Sequence, residues 1–120
     1  MSWDVSLTDP VSRKTIELDT PHFIRGGTYC INGTTELSLN ITYNYGKIYR
    51  EFIDSEDGLE WINNKTALET LPKLESAYNK MKNDVDSDYW KATEGNAKRA
   101  LAGLITFAKM RPDGIWDVSR

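Results

Sequence analysis

Between residues 37 and 53 the apolar pattern of this chain changes period. Leu37, Leu39 and Ile41 alternate with Glu36, Ser38 and Asn40, the two-residue repeat of a half-buried strand. From Tyr45 onward the apolar positions are Tyr45, Ile48, Tyr49, Phe52 and Ile53, which form one face of a helix. A chain that switches this abruptly must set a strand and a helix against the same core. A helix beginning at Thr35 competes for the first part of the stretch, because Leu37, Ile41, Tyr45 and Ile48 also recur near helical spacing; the strand is the preferred reading.

The flanking segments extend the pattern in both directions. Upstream, Trp3, Val5 and Leu7 alternate with Asp4 and Ser6, and after the turn chemistry of "TDPVSRK" the run "TIELD" resumes. These two runs are expected to form a hairpin. A second hairpin is expected at Asn32-Gly33, a dipeptide suited to a type I′ turn. Downstream, Asp54 to Gly58 ends the first helix and "GLEWINN" reads as a connector of about one helical turn. Thr66 and Glu69 fit a capping box, but Pro72 cannot sit deep in a helix; a start capped by Thr70 with Pro72 in the first turn resolves the conflict. That helix runs to about Lys82 with Leu71, Leu74, Tyr78 and Met81 inward. The last helix is capped by Thr93, carries Ala97, Ala100, Leu101, Leu104, Ile105 and Ala108 on its stripe, and stops before Pro112. The expected fold is α+β: a small antiparallel sheet of two hairpins in the N-terminal third, packed against about three C-terminal helices. With 120 residues and no internal linker or repeat, residues 1–120 read as one globular domain.

Composition narrows the function classes. A net charge of −3 argues against a nucleic-acid binder with a broad basic surface, since phosphate neutralisation needs clustered Lys and Arg. No apolar run is long enough to span a bilayer. The start "MSWDVSLTDP" lacks the basic-then-apolar pattern of a signal peptide, so the asparagines of the Asn-X-Ser/Thr matches at Asn32, Asn40 and Asn64 are chance occurrences and a cytosolic protein is expected. One cysteine precludes an intramolecular disulfide.

Catalytic and metal constellations are thin. His22 is the only histidine and Cys30 the only cysteine, too few for a His/Cys metal site, and neither has an activating context for a nucleophilic pair. Asp84, Asp86 and Asp88 imitate the start of a calcium loop, yet Tyr89 stands where that loop needs Gly and Glu94 falls one residue short. The bland alternative is an acidic surface loop. No cofactor is expected. Arg25 in "FIRGGTYCING" could meet an anion where two glycines allow close backbone approach, although a plain bend between hairpins is the simpler role. Trp116, with Tyr89-Trp90, could line a groove near the last helix or pack in the core.

The hexapeptide "NITYNY" carries the richest polar signal. Asn40, Thr42 and Asn44 stand where strand gives way to helix, and exposed helix N–H groups favour anions there. One of them is expected to cap the helix. One cap does not use three polar side chains, so Arg25, Asn40, Thr42, Tyr43 and Asn44 form a candidate ligand pocket, with Tyr43 stacking on a base. Arg99 and Arg111 are secondary anion candidates, whose simpler role is a solvated helix face.

"LTDPVSRKTIELDTPHFIRGGTY", "NGTTELSLNITYNYGKIY", "DYWKATEGNAKRAL" and "AKMRPDGIWDVSR" together resemble a group of small proteins encoded by bacteriophages and prophages. The resemblance implies phage or prophage origin and a place in the bacterial cytoplasm; it implies no reaction. Small phage proteins outside the virion often act on the host, including on its immune systems, an argument by analogy. The leading expectation is therefore a non-catalytic accessory protein that binds a partner or a small signal in the infected cell, in its sharper form by sequestering a nucleotide-derived signal. The alternatives are a module that binds a host protein through exposed aromatics, a small enzyme, and a virion component.

Overall fold

The computed structural model describes residues 1–22, 34–88 and 90–120. Among the described residues are two antiparallel sheets and three α-helices. Strand β1 (Ser2–Thr8) lies at the centre of a three-stranded sheet, between β4 (Ser38–Thr42) and β5 (Ile115–Ser119). Strands β2 (Glu17–His22) and β3 (Thr34–Glu36) form a separate two-stranded sheet. The helices are α1 (Gly46–Phe52), α2 (Ala67–Lys80) and α3 (Glu94–Met110). The α+β architecture expected from the period change is the one observed.

Alternation decides what the central sheet buries. Trp3, Val5 and Leu7 of β1, Leu39 and Ile41 of β4, and Trp116 and Val118 of β5 all enter one core. The register sets Trp3 opposite Ile41, and Leu7 opposite Trp116. The other face carries Asp4, Ser6, Ser38, Asn40 and Asp117, as expected of an antiparallel sheet with one wet side. From the helices, Tyr45, Tyr49, Leu74, Leu101, Leu104 and Phe107 complete the core with no exposed surface. The Tyr49 hydroxyl, buried with its ring, donates to the Ala97 carbonyl at 3.0 Å, which ties α1 to α3 without leaving a polar group unsatisfied.

Three local expectations need correction. The run "TIELD", residues 15–19, does not form a ladder with β1. It touches β1 only at the bridge Thr8–Thr15 and through the Ile16 N–H to Leu7 carbonyl bond, then leaves to pair with β3. The flank of β1 expected for that hairpin is taken by β5, a strand absent from the expectation. Second, α2 starts at Ala67, not after Thr70, and Pro72 lies inside it. Thr66 and Glu69 close a complete capping box, and the Ala67 and Leu68 N–H groups donate to the carbonyls of Gly114 and Pro112. Those bonds fix the helix start from outside. The carbonyl that Pro72 cannot satisfy belongs to Leu68, a residue 64% exposed on the outer side of α2. Third, of the two roles open to Trp116 the groove-lining one fails and the core one holds: it is wholly buried, and its Nε1 donates to Thr70 Oγ1 at 2.8 Å, while that hydroxyl donates to the Ala67 carbonyl.

The hairpin expected at Asn32-Gly33 lies outside the described residues. No described helix is long and apolar enough to cross a membrane.

Candidate functional site

The polar residues of "NITYNY" are engaged by the fold in three separate directions. Asn40, on the wet face of β4, donates through Nδ2 to Ser2 Oγ at 2.7 Å and to Asp4 Oδ1 at 3.0 Å, stitching β4 to β1. Thr42 is 1% exposed and its hydroxyl accepts the Asn44 N–H, capping the 3-10 turn Tyr43–Tyr45 that leads into α1. Asn44 is exposed, and its Nδ2 donates to the Trp90 carbonyl at 2.8 Å. Tyr43 packs edge-on against Trp3 with ring centroids 4.8 Å apart. The anticipated cap is therefore Thr42, and the surplus amides hold strand and loop.

The remaining candidates are dispersed. Arg25 lies outside the described residues. Arg99 projects exposed from α3. Arg111 grips Asp113 with both arms of its guanidinium, at 3.0 and 2.9 Å, with Asp9 at 3.8 Å. The Asp113 carboxylate raises the pKa of Arg111, and Arg111 in turn holds Asp113 below the usual carboxylate range. Asp9 is lowered first by the N–H groups of Ser12 and Val11 and further by Arg111. Trp116 is core.

The calcium-like segment is a built loop. Asp84 accepts the Gly95 N–H, Asp86 accepts the Asp88 N–H and pairs with Lys91 at 3.4 Å, and Asp88 accepts the Trp90 N–H. Asn96, 5% exposed, binds the Asp86 N–H and the carbonyls of Asp88 and Lys91. Gly95 is required where it stands, since a Cβ there would come within 2.5 Å of the Val85 nitrogen. Among the described residues no group of three or more His, Cys, Asp or Glu side chains could hold a metal.

A different region has the character of a site. A cleft of about 340 Å³ opens between α1 and the 3-10 helix Gly58–Ile62, with Arg50, Glu56, Asp57, Glu60 and Arg120 at its walls. Local rules explain how it is held. Asp54 Oδ2 accepts the N–H groups of Glu56 and Asp57 at 3.1 and 2.8 Å, and Gly58 completes the bend at φ 57°, a conformation that disfavours any side chain. The aliphatic stem of Arg50 lies against the Gly58 Cα, where a Cβ would stand 3.2 Å from Arg50 Cγ, and its head lies over Gly46. At one end Arg120 Nε is 3.4 Å from Glu60 Oε2, which also accepts the Trp3 Nε1–H at 3.4 Å. Arg120 also covers the Tyr43 ring, 5.7 Å from its centroid.

The sequence does not announce this cleft, because Asp54 to Gly58 carries the signals of a helix end. The available signal was "YREFIDSEDGLE", an arginine on a helix followed by an acidic turn closed by glycine. Comparison with family models, curated proteins and solved structures finds no match for this chain.

Proposed function

We propose that this protein acts by binding, as a phage- or prophage-type accessory protein that captures a small polar host molecule or signal in the bacterial cytoplasm, and that the binding site is the Arg50 cleft. The observation that carries this reading is that Arg50, Glu56 and Asp57 line one hollow and none of them forms an ion pair among the described residues. Arg50 is positioned by two glycines and faces a hollow, yet it makes no ion pair or hydrogen bond with another described side chain. A cleft of this volume is within the range of small-molecule sites. The polar set of "NITYNY" supports the site indirectly: Thr42 caps the turn that starts α1, on which Arg50 sits.

Native mass spectrometry of protein purified from infected cells tests the reading. A retained small mass in the wild type, absent from a folded Arg50→Gln variant, is the expected result. The same mass retained by the variant would remove the cleft from consideration.

A second reading has its own observation. Trp90 and Val85 are each 49% exposed on the loop pinned to α3, and exposed tryptophan is typical of protein-binding hot spots. Under that reading a host protein co-purifies and is lost with Trp90→Ala, while Arg50→Gln retains it.

A further inference from the structure

The charges around the Arg50 cleft are of both signs, and that constrains the ligand. Glu60 and Arg120 neutralise each other at one end. The others are Arg50 on one side and Glu56 with Asp57 on the other, and the two carboxylates, like Arg50, make no ion pair among the described residues. Asp54 holds the backbone of the acidic turn, so the carboxylates are presented on a fixed bend. The lining offers almost no apolar surface, and Trp3, the aromatic residue on it, is only 5% exposed.

We infer that the cleft takes a compact zwitterion of the amino-acid class, with the carboxylate on Arg50 and the ammonium between Glu56 and Asp57. This deepens the small-ligand reading above and rests on it. A phosphate-rich ligand would gain Arg50 but meet three carboxylates against two guanidinium groups in the same space. A nucleobase would find no open ring face, because Trp3 is buried and Tyr43 lies beneath Arg120. A simple cation would leave Arg50 without a partner. A zwitterion matches both signs, and an Arg–carboxylate contact adds geometric selectivity. Gly46 and Gly58 leave the space in which the Arg50 side chain lies along the cleft.

The test is calorimetric titration of the full chain with the standard free amino acids and with AMP. The best-binding amino acid is then compared with its amide, which retains only the ammonium, and its N-acetyl form, which retains only the carboxylate. Each capped form is expected to bind at least about tenfold more weakly. In Arg50→Gln the free amino acid and its amide should bind equally. In the double variant Glu56→Gln, Asp57→Asn the free amino acid and its N-acetyl form should do so. Thermal melts confirm that both variants are folded. AMP bound in preference to every amino acid, and lost in Arg50→Gln, would overturn the zwitterion while leaving the cleft as the site. No binding of any amino acid also overturns it. If the natural mass is in addition retained by Arg50→Gln, the cleft reading falls as well.

Discussion

The loop at 84–96 and the bend at 54–60 are built from similar materials, acidic residues closed by a glycine, and they end in opposite states. In the first, Asp84, Asp86, Asp88 and Asn96 each bind a backbone group, and Gly95 lets the chain pass within van der Waals contact of α3. In the second, only Asp54 does so; Glu56, Asp57 and Arg50 face a hollow. Polar residues whose hydrogen bonds are made within the fold stabilise it, whereas those left facing a cleft are available to a ligand. Polarity of a segment therefore does not mark a candidate site; polar groups without internal partners that line a common hollow do.

That contrast predicts where substitution hurts. Gly95→Ala should be the most damaging, about 3 kcal/mol in urea unfolding, because its Cβ would overlap backbone that cannot rotate away. A neutral result would mean that the loop is not seated on α3. Asn96→Ala should follow at about 2 kcal/mol, since it strips partners from the Asp86 N–H and two carbonyls. Arg50→Gln should shift stability by no more than about 0.5 kcal/mol while abolishing ligand retention. A loss as large as that of Asn96→Ala would erase the difference between the two regions.

The smallest effect concerns acid. Asp9, Asp86 and Asp113 have pKa values lowered by folding. A depressed carboxylate contributes stability that is present above its unfolded pKa, near about 4, and is lost as the pH falls through the folded value. A modest decline in melting temperature below that pH is expected, and Asp113→Asn should flatten it. Asp113 is exposed and Asp9 and Asp86 are partly so, so salt should weaken the effect. A decline unchanged by the substitution and by salt would place the acid-sensitive contacts elsewhere.

Much of the chain was legible because its signals are local. The alternation of Trp3, Val5 and Leu7, the helical face from Tyr45 to Ile53, and the Thr93 cap depend on neighbours within a turn or two. The Thr66–Glu69 box was legible too, but Pro72 outweighed it, because the bonds from Ala67 and Leu68 to Gly114 and Pro112 come from the far end of the sequence. β5 was missed for a related reason: "IWDVS" is short, and only its pairing with β1 makes it a strand. The candidate site was the least legible part. Asn40, Thr42 and Asn44 promised a pocket as a string of letters, and each found a different partner in space.

The sequence by itself determined the three helices, the Thr93 cap, the strands β1 and β4, the α+β class and most of the buried stripes, since periodicity and capping are short-range physics. Tertiary structure alone decided that β1 lies between β4 and β5, that Trp116 is core, and that Arg50 rather than Asn40 faces a hollow. Whether a polar side chain is satisfied depends on groups dozens of residues away, brought near only when the core closes.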